Sequence, residues 1–161
     1  NYVLRADKSA QGIRSFPYST NMEISPYTYG DIISSSNTPH PVGAIWTAML
    51  WDLYWTLADE YGFDEDLFEG NGGNNLAVTL AIEGMKLTSC SPGYTDARDG
   101  VLAADQLLYD GANQCLIWKA FARRGLGYNA NQGNSNSRTD GAQGFNLPPN
   151  VINTIEKFLN N

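Results

Sequence analysis

One histidine, His40, is the only imidazole in this 161-residue chain. Two cysteines, Cys90 and Cys115, are its only thiols, and they do not form a CxxC pair. Zinc-finger arrangements fail on this ligand count. A hydrolytic zinc site usually takes about three protein ligands and a general base, and HExxH is absent here. Long apolar runs are missing as well. The longest, from Val42 to Leu57, is broken by Thr47, Asp52 and Thr56, and it is too short and too polar to span a bilayer. Cations are scarce: 10 Lys and Arg stand against 17 Asp and Glu, for a formal net charge of −7. Nucleic-acid binding needs clustered cations that displace phosphate counterions. The one compact basic group, Lys119, Arg123 and Arg124, falls at the end of an expected helix, where it complements the helix dipole. No nucleic-acid partner, no membrane partner and no metal held by this chain are therefore expected.

What remains is enough for one domain with a real core, since 42% of the residues are hydrophobic and 12% aromatic. Residues 1–41 read as an irregular arm. They hold Pro17, Pro26, Pro39 and Pro41, the run Ser34-Ser35-Ser36, and several tyrosines suited to lying over a surface. Residues 42–161 read as a helical lobe that forms one structural domain with the arm. From Gly43 to Tyr61 the apolar residues Ile45, Trp46, Met49, Leu50, Leu53, Tyr54 and Leu57 recur at helical spacing, and Gly62 suits the C-terminal cap. Asp64, Glu65 and Asp66 read as a solvated loop. A second helix follows a cap at Asn74 or Asn75 and ends near Leu87, with Leu76, Leu80 and Met85 inward. A third starts from Thr95 and runs to about Tyr109, with Ala97, Val101, Ala104 and Leu108 inward. A fourth follows Asn113 and stops at Gly125, burying Leu116, Ile117, Ala120 and Phe121. Residues 127–146 are a loop rich in Asn, Gly and Ser. Pro148-Pro149 opens a fifth helix with Val151, Ile152, Ile155, Phe158 and Leu159 on its apolar side. The expected fold is mainly α: about five helices in an orthogonal array or bundle behind the arm, with no convincing strand or repeat.

His40 lies in Asn37-Thr38-Pro39-His40-Pro41-Val42-Gly43, at the mouth of the first helix. A neutral imidazole there is a good donor toward a developing oxyanion, although a surface His in a Pro-rich turn has the same sequence appearance. Ser34 to Ser36 are near it in sequence, but nothing marks one of them as an activated nucleophile. Asp64, Glu65 and Asp66 are adjacent and do not face a common point. The cysteines fit two buried thiols or one disulfide.

Several segments resemble the fungalysin family of secreted zinc metallopeptidases. Gly12-Ile13-Arg14-Ser15-Phe16-Pro17-Tyr18-Ser19-Thr20 is similar to a family segment, and Tyr29-Gly30-Asp31-Ile32 follows as it does there. Pro39-His40-Pro41-Val42-Gly43-Ala44-Ile45-Trp46 resembles the family's H-x-x-G-x-x-W helix entry. Gly72-Gly73-Asn74-Asn75-Leu76-Ala77 with Glu83-Gly84-Met85-Lys86-Leu87 matches the next helix. Ala97-Arg98-Asp99, Ala104-Asp105 and the stretch from Ile117 to Gly127 continue the likeness, which covers roughly residues 10 to 140 in order.

The resemblance implies the helical C-terminal lobe of a thermolysin-like fold. In that fold a central helix carries HExxH, and a downstream Glu completes the zinc site. Both precede the segment seen here, so the zinc belongs to the parent enzyme and this chain alone is expected to be inactive. The resemblance casts His40 as the donor to the tetrahedral oxyanion and Arg14 as the holder of a substrate carbonyl. It casts Ile13 as lining the apolar pocket next to Arg14. An Asp orients the His in thermolysin-like enzymes, and Ser35 stands at that position. It also implies a Cys90–Cys115 disulfide. The expected partners are a peptide or protein substrate and the N-terminal catalytic lobe of the same protein. The expected state is an extracellular monomer. A stand-alone, non-catalytic helical binding domain is the alternative, and zinc in the full-length protein discriminates the two.

Overall fold

The computed structural model describes residues 14–35 and 39–159, without the side chains of 154, 155 and 157–159. Ile13, Ser36 and the inward-reading Ile155, Phe158 and Leu159 side chains lie outside the described residues. The helical repeat that begins near Gly43 forms α1, Pro39–Tyr61. It starts four residues earlier than the apolar pattern does, because Pro39 and Pro41 fall in the first turn, whose N–H groups have no intrahelical acceptor. Next come α2 (Gly73–Leu87), α3 (Tyr94–Tyr109), α4 (Gln114–Arg123) and α5 (Pro149–Leu159), with a short 3-10 helix at Tyr29–Ile32 ahead of α1. Among the described residues there is no strand, only isolated bridges pairing Leu126 with Gly144 and Asn131 with Ala142. The fold is mainly α, compatible with the helical lobe of a thermolysin-like enzyme, and no helix is long and apolar enough to cross a membrane.

Two helix starts differ from the sequence reading in their caps. Glycine precedes each, and the side chain at the third helical position reaches back to it. The Gly72 N–H donates to Asn75 Oδ1 at 3.1 Å, and the Gly93 N–H donates to Asp96 Oδ2 at 2.9 Å. Asn74 is instead buried, pairing through both amide atoms with the Asp64 backbone. Gly125, at φ +79°, ends α4 in the left-handed conformation that favours glycine.

α1 is the axis of the array. It packs on α2, on α4 and on the 3-10 helix, while α3 packs on α2 and α4. Ile45, Met49, Leu53 and Leu57 of α1 meet Leu80, Val101, Ile117, Phe121 and Leu126 in one buried cluster. Burying each such side chain contributes about 1.5–3 kcal/mol. The α2–α3 crossing is close because it is built on glycine: a Cβ at Gly100 would lie 2.6 Å from the Gly84 carbonyl oxygen. Met85 and Leu108, expected inward, are 67% and 46% exposed. Each stands near the C-terminal end of its helix.

In the basic group at the end of α4, Lys119 and Arg123 are exposed but Arg124 is not. Arg124 is fully buried and forks onto Asp52 of α1, itself 1% exposed, with Nε–Oδ2 at 2.8 Å and Nη2–Oδ1 at 2.9 Å. Its other donors reach the Ser19, Ser25 and Tyr27 carbonyls. Arg123 adds a bond to Asp52 and one to the Thr20 carbonyl. The described part of the arm is thereby laid on the chain's own helices, and Tyr29 and Ile32 enter the core. A second buried arginine, Arg98, donates to the Leu126 and Gly127 carbonyls and lies 4.6 Å from the Trp118 ring centre, fixing the chain where it leaves α4.

The expected disulfide is not formed. Cys90 is exposed in the turn before α3, and Cys115, half-buried, opens α4 just after α3. The 16 residues of α3 separate those turns, about 24 Å along the axis. A disulfide requires Cα atoms within about 7 Å. Thiol titration of the denatured, unreduced protein should find both thiols reactive; finding neither would mean that the bond exists.

Candidate functional site

His40 sits on the first turn of α1 with its side chain exposed. The following turn is anchored, since Ala44 and Ile45 are each 1% exposed. The turn is tied across the fold at one further point: the Tyr94 hydroxyl, from the start of α3, donates to the Val42 carbonyl at 2.6 Å. The serines before the helix do not engage His40. The Ser35 hydroxyl donates to the Ile32 carbonyl at 2.7 Å and that of Ser34 to the Asp31 carbonyl at 3.1 Å. Both close the 3-10 helix, which leaves neither hydroxyl set as a nucleophile for the imidazole.

Arg14, also exposed, opens the described part of the arm. Phe16 packs edge-on against Tyr27, with ring centres 5.1 Å apart, and Tyr18 lies 6.4 Å from Trp51 of α1. From Ser19 onward the arm is held by Arg124. Arg14 and His40 thus lie on two different segments, and no hydrogen bond joins them among the described residues. Ile13, the third residue implied by the resemblance, lies outside the described residues.

Two of the cavities along α1 lie toward its N-terminal half. One, of about 250 Å³, is apolar, with Trp46, Leu50, Met85 and Val101 in its wall. The other, of about 150 Å³, lies beside the His40 turn and is lined by Val42, Tyr29, Tyr94, Gln132, Ser135 and Arg138 among others. Neither is lined by His40 or Arg14. The loop 127–146 forms part of the second cavity and is a built structure. The Gln132 amide donates to Asp96 Oδ2 at 2.6 Å, while its oxygen accepts the Asp96 N–H at 3.1 Å. The Gln132 amide, with the Gly93 N–H, holds the Asp96 carboxyl below the ordinary carboxylate range. Asp140 is lowered by the Asn134 N–H and then the Ser137 hydroxyl. Burial raises the Tyr94 phenol well above the ordinary range, with a smaller contribution from Tyr29; burial and then Asp140 raise Tyr29.

The donor set does not suit a zinc ion. Beyond the single His, no group of three or more His, Cys, Asp or Glu side chains among the described residues could hold a metal. Sequence reasoning found the exposed candidates but not Tyr94 or Gln132, whose partners lie 52 and 36 residues away. It also missed the Asp52–Arg124 pair. Its one visible trace was a carboxylate, Asp52, within the apolar face of α1.

The raised phenols predict an alkaline limit. A folded-state value above the unfolded one stabilises fully below the ordinary Tyr range, about pH 10, and that stability is lost as pH climbs from there through the raised value. Denaturant unfolding of the wild type should weaken above about pH 10, and Tyr94→Phe should weaken less steeply; identical slopes would contradict the assignment.

The family model described as Fungalysin metallopeptidase (M36) matches residues 1–130. The chain is 44% identical over 128 residues to extracellular metalloproteinase 2 of Arthroderma gypseum, and equally to the protein of that name from Trichophyton tonsurans. It is 42% identical over 131 residues to probable extracellular metalloproteinase 3 of Trichophyton verrucosum. The first two alignments take in 76% of this chain, the third 78%, and each covers 20% of the relative. The chain spans about a fifth of the length of the curated relatives it matches.

Proposed function

Because this chain belongs to the fungalysin metallopeptidase family, we propose that it is the C-terminal helical part of a secreted zinc endopeptidase, supplying one wall of the substrate cleft. The relatives' names, extracellular metalloproteinases, support the activity class and the location. Residues 1–41 and 42–161 act as one structural domain in this reading. The zinc and its ligands lie in the N-terminal catalytic lobe of the same protein, and the chain by itself hydrolyses nothing. The substrate is a protein or peptide, and the enzyme works as a monomer.

The observation that carries the reading is the exposure of His40 on the first turn of a helix whose next turn is locked in the core. A donor on an anchored helix end is preorganised toward charge that develops nearby. His40 donates to the oxyanion of the tetrahedral intermediate. Arg14 donates to a substrate backbone carbonyl, a task suited to its planar fork, and Ile13 lines the apolar pocket beside it.

These roles separate in kinetics. An oxyanion donor acts in the transition state, so His40→Ala in the full-length enzyme should lower kcat by about 10²–10³ with little change in KM. Arg14→Ala removes contacts present in both the ground and transition states, so KM should rise as well. Both variants should retain zinc. A zinc-loaded His40→Ala enzyme with near-normal kcat would falsify the His40 role. A full-length protein without zinc would favour a non-catalytic binding domain.

A further inference from the structure

Among the described residues none hydrogen-bonds the His40 ring. The nearest preceding hydroxyls, Ser34 and Ser35, are engaged by backbone carbonyls. The position of the imidazole follows its own backbone, the first turn of α1. That turn stands just ahead of the buried positions Ala44 and Ile45. Pro39, His40 and Gly43 are exposed, and a Cβ added at Gly43 would meet no atom within 4 Å. Among the described residues, one side chain from another element grips it, through the 2.6 Å bond from the Tyr94 hydroxyl to the Val42 carbonyl.

Tyr94 is itself well placed to transmit a fixed position. It is the first residue of α3, and its ring centre lies 5.3 Å from that of Tyr29 and 5.7 Å from that of Trp46. The residue before it, Gly93, donates to Asp96, which Gln132 holds in turn. The phenol is thus packed on two sides and backed by a closed polar network, and its only freedom is spent on the turn that carries His40.

Resting on the role given to His40 above, we propose that Tyr94 is a positioning residue, whose hydroxyl fixes the first turn of α1 and thereby the direction in which His40 donates. Direction matters because a hydrogen bond weakens steeply once its angle falls below about 120°. A displacement of about 1 Å in a reacting group can cost about 10²-fold in rate. Tyr94→Phe removes the hydroxyl and leaves the ring contacts with Tyr29 and Trp46.

The test is a double-mutant cycle in the full-length enzyme: wild type, Tyr94→Phe, His40→Ala and both together. Each is assayed for kcat and KM on a peptide substrate, for zinc content and for melting temperature. Tyr94→Phe should keep its zinc, leave KM within about twofold and lower kcat about fivefold to tenfold. In the His40→Ala background the same substitution should change kcat by less than about twofold, because the group it positions is gone. Equal losses in both backgrounds would assign Tyr94 a merely structural role, and no loss in the wild type would overturn the proposal as directly. A His40→Ala enzyme with wild-type kcat would instead remove the His40 role, and this inference with it.

Discussion

Two opposite charges shielded from water, Asp52 on α1 and Arg124 at the end of α4, hold together parts of the chain that nothing local would join. Removing a carboxylate and a guanidinium from solvent costs several kcal/mol per ion, and the pair persists only where the remaining donors and acceptors are satisfied. Arg124 meets that condition with its whole fork. Two bonds go to Asp52 and three to the carbonyls of Ser19, Ser25 and Tyr27. The Arg124 carbonyl in turn accepts the Tyr29 N–H at 2.8 Å. One residue thus serves as helix end, ion-pair partner and docking point for the arm.

That arrangement gives the proposed function its geometry. α1 is gripped at Asp52 and along Ile45, Met49, Leu53 and Leu57, so its N-terminal turn projects from a fixed beam. His40 lies 12 residues before Asp52, about 18 Å along the helix. Arg14 precedes Ser19 and Thr20, where the arm meets the two arginines. Both groups assigned to substrate and oxyanion leave the same clamp along different segments. Rigid support behind an exposed donor is what electrostatic catalysis requires, because a donor that must reorganise loses most of its advantage.

Helix existence was legible in the sequence because burial follows a short period. The apolar repeat marks α1, Gly125 marks the end of α4, and Pro148-Pro149 marks the start of α5. Helix edges were less legible: Pro39 and Pro41 read as breakers and turned out to be first-turn residues. Long-range polar contacts left almost no trace. Arg124 read only as a complement to the helix dipole, because a helix-terminal arginine has the same local appearance whether it meets water or a carboxylate 72 residues away. The arm read as a segment laid over a surface, and its described part lies on these helices. The cysteine pairing was implied by resemblance, and both cysteines are free thiols in the structure. At the candidate site, His40 and Arg14 were found through motifs, while Tyr94 was not, since its Val42 partner lies 52 residues away on another helix.

The central claim is that the Arg124 fork, and not packing alone, fastens the arm to the helices. Arg124→Lys keeps the charge but cannot make five directed bonds. Amide hydrogen exchange on that variant tests the claim most directly. The amides of Ser25 and Tyr29 should lose most of their protection, while those of Leu53 and Leu57 in α1 stay slow. Wild-type protection at Ser25 and Tyr29 would contradict the account.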